Sequence, residues 1–271
     1  MEQKVSAGLG GIPETMLWTL HYRAVEAMRP DGALVDPKAI EIYRAIDYDY
    51  ERNFGRPQAS LAVRSKAFDE EIEAFIIEHP DAIIVNLGEG LETQRFRVEA
   101  PGALWMTVDL PEAIAIRERF IQPDDDHVHL PLSALDRQWL EEVPEGRPVI
   151  VTAQGLFMYL KENEVRSLLR DIVTSFDECR VVFDTIPRWF SRKTRSRRGL
   201  RMTRHYRTPR MPWGINRDDI VATLGRWLGT GIVAEDIGYP DFPRGLERLF
   251  TSLWFNGPYL RNYSPTIVRL S

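Results

Sequence analysis

The most constraining feature of this chain is an apolar run that ends in two closely spaced glycines, followed by a second apolar run that ends in an acid. The first run and its turn cover residues 83–91 and contain Gly88 and Gly90, and the second run ends at Asp109, 21 positions after Gly88. Glycines let a backbone approach a ligand closely, and a carboxylate at the end of the next strand can accept hydrogen bonds from two ribose hydroxyls. The pattern therefore indicates a nucleoside-binding unit.

The glycine pattern is incomplete, because Thr93 occupies the position of the third glycine in the longer dinucleotide pattern. A plain strand–turn–helix, with glycines that serve only a tight turn, is the alternative interpretation. The second strand and its terminal Asp109 favour nucleoside binding over that alternative.

Length and composition fit one large domain, or one domain with a lid. The chain has 271 residues, 44% of them apolar, so its core is large enough to need no disulfides. The single cysteine, Cys179, excludes an internal disulfide and a four-thiolate zinc site. Residues 1–12 lack an apolar signal core and no run of 18 apolar residues occurs, so we expect a cytoplasmic protein with no membrane partner.

Positive charge is concentrated in one segment. Residues 188–210 hold ten basic side chains and no acid, so with a net charge of −5 the rest of the chain is near −15. Aromatic residues bracket the segment at Trp189, Tyr206 and Trp213. Such a segment suits an anionic aromatic ligand, whose ring would stack on the aromatics while arginines attract the acid group. Solvated arginines on a mobile insertion are the alternative.

The first 80 residues read as a helical cap. Apolar residues recur at helical spacing over residues 14–29, after Asp36-Pro37, and from about residue 60 to 78. Asp36 is expected as the N-cap of the second helix, with Pro37 at its first position. His79-Pro80 ends the third.

From residue 81 the pattern changes to short apolar runs that alternate with helical patterns. The runs cover residues 82–87, 104–108, 149–153, 181–183, 232–234 and about 266–270, and His127 and His129 alternate along a further probable strand. Strands buried on both faces have this pattern, so residues 81–271 are predicted to form a doubly wound, mainly parallel α/β core. Its ligand edge would carry Gly88, Gly90, Asp109, Gln154 and Asp184.

These residues resemble the motifs of a known family. Residues 86–97, NLGEGLETQRFR, resemble the LGxGLDTRxxR signature of the leucine carboxyl methyltransferase superfamily, and the tetracenomycin-type polyketide O-methyltransferases are the most similar branch. Residues 64–69, 105–111, 133–139 and 153–160 resemble further family motifs in the same order. The resemblance implies a seven-stranded class I methyltransferase fold that uses S-adenosylmethionine, with residues 186–215 as a lid insertion after the fifth strand.

The resemblance also implies a role for each matched residue. Arg64 would pair with the cofactor carboxylate, and Gly88 and Gly90 would lie against its methionine and ribose. Asp109, next to Leu110, would hold the ribose hydroxyls. The remaining cofactor contacts would be Ser133, Ala134 and Leu135 at the adenine, Gln154 near the amine, and Arg23.

Three residues depart from the family pattern. Glu89 replaces a small residue, Glu92 replaces the usual Asp, and Gln154 replaces the Glu of many members. Gln154 keeps an acceptor oxygen but loses a negative charge, which should weaken cofactor binding by about 1 kcal/mol. Glu89 would partly compensate if its side chain points inward.

The expected reaction is methyl transfer to a carboxylate or an acidic phenol of a small aromatic or polyketide-like molecule. An ionised acceptor needs only orientation and desolvation, and no His-Asp pair follows a strand, so the catalytic residues stay unassigned, with His205 and Tyr206 as weak candidates. Trp189, Tyr206, Trp213 and Tyr159 are the predicted acceptor contacts.

Three other functions remain open at this point, and one of them is a non-enzymatic protein that retains S-adenosylmethionine as a ligand. The basic segment would also serve a nucleic-acid methyltransferase, although the rest of the chain is acidic and contains no recognised nucleic-acid module. The strand–glycine–strand–Asp unit would also serve an NAD-dependent oxidoreductase. No metal site is expected, because His127, His129 and residues 124–126 fit a surface edge better. The sequence is silent on oligomeric state.

Overall fold

Four helices precede the central sheet. The computed structural model describes residues 5–6, 8, 10–229 and 231–271. The four helices are α1 (Thr15–Ala27), α2 (Pro37–Ala45), α3 (Tyr50–Phe54) and α4 (Ser60–Glu78), and β1 (Val5–Ser6) pairs in parallel with β2 (Ile46–Asp47) beside them. The three predicted helices are confirmed, and the short α3 is an addition.

The start of α2 is capped as predicted. Asp36 accepts a hydrogen bond from the backbone N–H of Ala39 at 2.9 Å, and Pro37 lies in the first turn. An acidic side chain there satisfies a backbone donor that has no partner inside the helix. The other carboxylate oxygen of Asp36 accepts from Thr93, so the cap also ties α2 to the glycine turn.

α4 differs from α1–α3 in what it packs against. Its buried residues Phe68, Ile72 and Phe75 contact one face of the sheet, through Ile84 and Ile150 among others. α1 and α2 instead form a separate core around Leu17, Leu20 and Ile42. By its packing α4 therefore belongs to the layer of helices that covers the sheet, although the sequence pattern placed it with the cap.

The central sheet has seven strands and is mainly parallel, as predicted. The strands are β3 (Ile83–Leu87), β4 (Leu104–Val108), β5 (His127–Leu130), β6 (Val149–Ala153), β7 (Cys179–Thr185), β8 (Ala234–Gly238) and β9 (Thr266–Leu270). Their spatial order is β5-β4-β3-β6-β7-β9-β8, with β9 antiparallel to both of its neighbours. β3 and β6 lie side by side at the point where the strand order reverses, and ligands bind at such a point in open α/β sheets.

Helices cover both faces of this sheet. The helices that follow β4 in the chain are α5 (Pro111–Arg117), α6 (Gln138–Glu141), α7 (Glu162–Ser175), α8 (Arg188–Arg195), α9 (Arg217–Leu228) and α10 (Gly245–Asn256). Leu168 of α7 and Leu224 of α9 pack with Val85 and Val151, while α4 packs with Ile84 on the opposite face. Alternate residues of the strands thus enter two different cores, which explains the continuous apolar runs. Among the described residues, we find no helix that is both long and apolar enough to cross a membrane.

The segment of residues 186–215, here called the basic insertion, follows β7. After α8 it runs back to the N-terminal helices, where Thr203 donates to the carbonyls of Arg52 and Asn53 at 2.9 Å. The ring of Tyr206 meets the ring of Phe54 edge-on, with centroids 4.8 Å apart. The insertion is therefore anchored to the cap formed by α1–α3.

Candidate active site

A cavity of about 470 Å³ opens at the carboxyl ends of β3, β4, β6 and β7. This volume is in the usual range for a small-molecule site. All ten residues predicted to contact the cofactor line it: Arg23, Arg64, Gly88, Gly90, Asp109, Leu110, Ser133, Ala134, Leu135 and Gln154. The fold thus brings together residues that are up to 131 positions apart in the chain, as expected when parallel strands end at one edge.

The turn after β3 requires its two glycines. Gly88 and Gly90 have φ of +64° and +55°, a region that other residues rarely adopt. A Cβ at position 88 would lie 2.9 Å from the Leu156 side chain, and a Cβ at position 90 would lie 2.9 Å from Cβ of Met16. The turn therefore presents bare backbone to the cavity with α1 packed directly on it.

Asp109 lies at the end of β4 beside this turn. Its carboxylate accepts from the backbone N–H groups of Gly90 and Leu110, both at 2.7 Å. Burial raises the pKa of Asp109, and the two N–H donors work against that shift. The held carboxylate keeps lone pairs for further donors, such as a pair of hydroxyls.

The loop after β5 forms the far end of the cavity. Ser133 accepts from the N–H of Leu135 at 3.2 Å, and the indole of Trp139 donates to the carbonyl of Ala134 at 3.1 Å. Trp139 itself is fully buried. These contacts hold the loop in place. Its largely apolar surface toward the cavity suits a planar ring.

Gln154 lies at the end of β6 in a defined orientation. Its amide nitrogen donates to Ser65 at 2.8 Å and to Glu92 at 3.2 Å. Its amide oxygen, Oε1, is buried and has no hydrogen-bond partner among the described residues. An orphaned buried acceptor is costly unless a ligand supplies a donor.

Glu92 belongs to a buried network of charges under the turn. Its carboxylate accepts from Arg23 at 2.6 Å and from Arg97 at 2.8 Å, and Arg97 also binds Asp69 and Asp36. Burial opposes ionisation of Glu92, but the two guanidiniums outweigh it and lower its pKa to about 2. Burial raises the pKa of Asp69 to about 6. At neutral pH three carboxylates thus face two guanidiniums, which leaves one negative charge in excess.

The structure refines the prediction for Arg23. One terminal nitrogen binds Glu92 and the other donates to the carbonyl of Leu91 at 2.7 Å. The guanidinium therefore holds the turn and Glu92, although the residue also lines the cavity.

Arg64 forms a buried ion pair that the sequence did not indicate. Its Nη1 lies 2.9 Å from the carboxylate of Asp184, which also accepts from the N–H of Gly155 at 2.5 Å. Arg64 is buried and faces the cavity, so it is not a surface residue of α4 paired with its helix neighbours Glu71 or Asp69. Its Nε is buried without a partner among the described residues, so the guanidinium retains an unused donor.

Glu89 does not supply a free charge to the cavity. Its carboxylate binds Arg117 at 2.9 Å and accepts from Thr107. Arg117 also donates to the carbonyls of Gly90 and Glu92 at 2.9 and 2.8 Å. The expected compensation for Gln154 by Glu89 is therefore not supported, and Arg117 is a residue whose support of the turn the sequence analysis missed.

The two strand histidines lie behind Glu89. The rings of His127 and His129 are 4.5 Å apart on the same face of β5, as the alternation predicted. Burial, with a smaller contribution from the positive charge of Arg117, lowers the pKa of His127 to about 2. Within the described ranges, no group of three or more His, Cys, Asp or Glu side chains is placed to hold a metal ion.

The mouth of the cavity is apolar and aromatic. Two of the predicted acceptor contacts, Tyr159 and Trp189, line it. Other residues on this side are Ile186, Phe190, Met211, Tyr239, Phe242 and Trp254. Burial raises the pKa of Tyr159 to about 12, so its hydroxyl stays protonated at neutral pH.

Three other predictions for this side need correction. Trp213 packs in the core between Phe157 and Trp227, and Tyr206 is buried against Phe54, so neither ring faces the cavity. His205 is exposed on the basic insertion and accepts from Arg204 at 2.8 Å. Trp213 and Tyr206 are directed by contacts with the core and the cap, which their neighbours in the chain do not reveal.

Residues 17–173 match the family model of the leucine carboxyl methyltransferases. The chain belongs to the leucine carboxyl methyltransferase family. It is 33% identical over 198 residues to the tetracenomycin polyketide synthesis O-methyltransferase of Streptomyces glaucescens, a match that covers 72% of this chain and 73% of that protein. It is also 31% identical over 186 residues to an S-adenosyl-L-methionine-dependent methyltransferase of Gibberella zeae, with 62% of each chain covered.

A crystal structure from Thermobifida fusca YX, solved as a methyltransferase candidate, superposes with a TM-score of 0.54 at 12% identity over 96% of this chain and 94% of that one. This likeness confirms the class I methyltransferase fold. As a member of this family, in its tetracenomycin-type branch, the protein is an S-adenosylmethionine-dependent methyltransferase. An NAD-dependent oxidoreductase is thereby excluded.

The family match ends before most of the acceptor side, of which it includes Tyr159. Residues 17–173 include all ten predicted cofactor contacts, whereas the basic insertion and α10 lie beyond it. The acceptor must therefore be argued from this chain's own residues.

Proposed function

We propose that this enzyme methylates a phenolic hydroxyl on a small, apolar aromatic molecule. The main support for the proposal is that both guanidiniums lining the cavity are already paired with carboxylates. Arg23 binds Glu92 and Arg64 binds Asp184, so no cation among the described lining residues is free of a carboxylate. A carboxylate acceptor is already ionised at neutral pH and would find no free side-chain cation on entering the cavity, whereas a phenol enters uncharged, and burying a charge without a partner is costly.

The polar residues of the cavity indicate where the cofactor would bind. Asp109 would accept from the ribose hydroxyls, and the loop of residues 133–135 would hold the adenine. The methionine part would lie on the bare backbone of Gly88 and Gly90. These assignments are supported by the positive φ of both glycines and by the tight space behind them.

Two unused buried groups support the placement of the amino acid part. The orphaned Oε1 of Gln154 would accept from the ammonium, and the unused Nε of Arg64 would donate to the carboxylate. The excess negative charge of the Glu92 network favours a cationic ligand at this end. S-adenosylmethionine supplies a methyl group on a positively charged sulfur when it is bound.

The acceptor end would act through positioning and exclusion of water. Trp189, Phe190 and Trp254 would hold the ring, and Met211 would close the floor. As the acceptor oxygen takes up the methyl group, the phenol would release its proton to water at the open mouth of the cavity. The apolar wall would favour this transfer, because the positive charge that the bound cofactor brings is lost in it. The protonated hydroxyl of Tyr159 would donate to the acceptor oxygen and orient it.

A nucleic-acid acceptor is the competing proposal. It would draw on the basic insertion, whose ten basic side chains are all exposed. The aromatic wall of the cavity offers no charged partner for phosphates, which favours a small molecule.

Paired acceptors test the proposal. Each aromatic scaffold is offered once with a hydroxyl and once with a carboxyl group, together with labelled S-adenosylmethionine, and the products are separated as ethers or esters. We expect aryl methyl ethers and a preference of at least about tenfold for the hydroxyl member. Methyl esters as the main product would contradict the proposed phenolic acceptor. In a parallel filter-binding assay with RNA or DNA, transfer of label to the nucleic acid would also contradict it.

A further inference from the structure

α10 presents its apolar stripe to solvent. Along this helix Leu246, Leu249, Phe250, Leu253 and Trp254 recur at the spacing of one helical face. All five side chains are between 38% and 73% exposed, whereas Thr251 and Phe255 on the opposite side are buried. An amphipathic helix normally turns such a stripe to its own core. Here no part of the chain that the structure describes covers the stripe.

The exposed surface continues beyond the helix. The short turn after α10 contacts the helix and adds Tyr259, Leu260 and Tyr263, which are between 51% and 87% exposed. If a fully exposed large side chain offers about 200 Å², these eight residues expose on the order of 1,000 Å². That exceeds the largest apolar patch of a typical monomer and matches one side of a stable protein–protein interface.

The spacing of the stripe is symmetric. Leu246 and Leu253 lie at equal distances along the chain from the midpoint between Leu249 and Phe250. Two such helices in antiparallel contact would place Leu249 against Phe250 of the other copy, and Leu246 against Leu253. This is the self-complementarity that a two-fold axis requires.

We propose that α10 and the turn through Tyr263 form a two-fold interface between two copies of this chain. The five stripe positions carry no charge, so two copies meet there without burying an unpaired ion. A membrane fits less well, because the charged residues of α10 are Glu247 and Arg248, one of each sign, rather than a basic polar face.

The interface adjoins the acceptor cavity. Trp254 and Phe255 line the cavity, and the indole of Trp189 donates to the carbonyl of Tyr263 at 2.8 Å. The second copy would therefore cover the rim of the cavity and reduce its contact with water. The dimer itself does not depend on the proposed acceptor.

Sedimentation velocity and light scattering over a wide range of protein concentration test the proposal. We expect the wild-type protein to be a dimer and Phe250→Glu to raise its dissociation constant at least about thirtyfold. Ile77→Glu is the matched control, since Ile77 is 82% exposed on α4, outside the stripe, and this variant should remain dimeric. Retained circular dichroism and a thermal shift with S-adenosylmethionine would show that Phe250→Glu is folded.

Cross-linking gives a second, independent readout. Phe250→Cys should form a covalent dimer on mild oxidation, and Ile77→Cys should not. The only native thiol, Cys179, stays unreactive because burial raises its pKa to about 12. A wild-type monomer at all concentrations would overturn the proposal, and so would a dimer unaffected by Phe250→Glu. Flotation of a monomer with phosphatidylcholine vesicles would instead identify the stripe as a membrane contact.

Discussion

At the scale of single residues, the presence of Glu92 accounts for an amide rather than an acid at position 154. The family motifs that this chain resembles have Asp and Glu at these two positions, and this chain has a longer acid and a neutral amide. Glu92 reaches to within 3.2 Å of the Gln154 amide nitrogen, which donates to it. A carboxylate at position 154 would meet another carboxylate there, so the amide is the side chain that fits.

These contacts reverse the expectation from the sequence that Gln154 binds the cofactor less tightly than Glu would. We predict that Gln154→Glu weakens S-adenosylmethionine binding at neutral pH, although it restores the family residue. Repulsion from Glu92 and the loss of two donated hydrogen bonds should cost about 1–3 kcal/mol. Calorimetric titration measures the change. The double variant Glu92→Asp with Gln154→Glu should recover part of the loss, with a coupling energy of about 1 kcal/mol or more. Tighter binding by the single variant would contradict this account.

His127 should make the protein sensitive to mild acid. The pKa of His127 is lowered to about 2 in the fold and is about 6.5 in the unfolded chain. Below pH 6.5 only the unfolded chain takes up this proton, so stability is lost as the pH falls, by up to about 1.4 kcal/mol per pH unit. His127→Gln, which keeps a hydrogen bond to Thr107, should lack this component.

Urea unfolding of the wild type and of His127→Gln at pH 7 and pH 5.5 measures this contribution of His127 to stability. The stability difference between wild type and variant should shift by about 1–2 kcal/mol in favour of the variant at the lower pH. An identical pH dependence would show that folding does not lower the pKa of His127 and would contradict this prediction.

At the scale of elements, the contact between α1 and the glycine turn shapes the cofactor end. Gly90 leaves no room for a side chain, because Cβ of Met16 would lie 2.9 Å away. Arg23, also on α1, binds Glu92, which lies two positions after Gly90 in the chain. α1 therefore acts as a wall of the cavity as well as part of the cap.

Gly90→Ala should displace α1 and destabilise the protein by about 2–4 kcal/mol, through a left-handed backbone and a clash with the helix. Gly146→Ala is the matched control, since Gly146 also has a positive φ, +78°, but open space around it. That variant should cost only about 1–2 kcal/mol. Thermal unfolding compares the two, and equal losses would mean that α1 does not press on the turn.

At the scale of the whole molecule, the sheet and the cofactor edge were predictable from the sequence for one reason. Strands buried on both faces leave continuous apolar runs, and parallel strands end together, so Gly88, Asp109 and Gln154 had to converge. The direction of individual side chains was not predictable in the same way. Arg64 meets Asp184 across 120 positions of the chain, and Trp213 turns to the core.

α10 shows the same limit for an element. Its apolar residues recur at helical spacing, but spacing does not say whether an apolar stripe faces the core or a second chain. In the same way, the charge of the basic insertion was evident, whereas its anchoring to the cap through Tyr206 depends on Phe54, far away in the sequence.

The most direct test of the account is calorimetric titration of the purified protein with S-adenosylmethionine, with Asp109→Ala beside it. We predict one site per chain for the wild type, and binding weakened at least a hundredfold in the variant, which should keep its fold because Asp109 supports only two backbone N–H groups. Asp124→Ala, an exposed acid outside the cavity, should bind as the wild type does. No heat and no thermal shift with the wild type, or full binding by Asp109→Ala, would contradict the account.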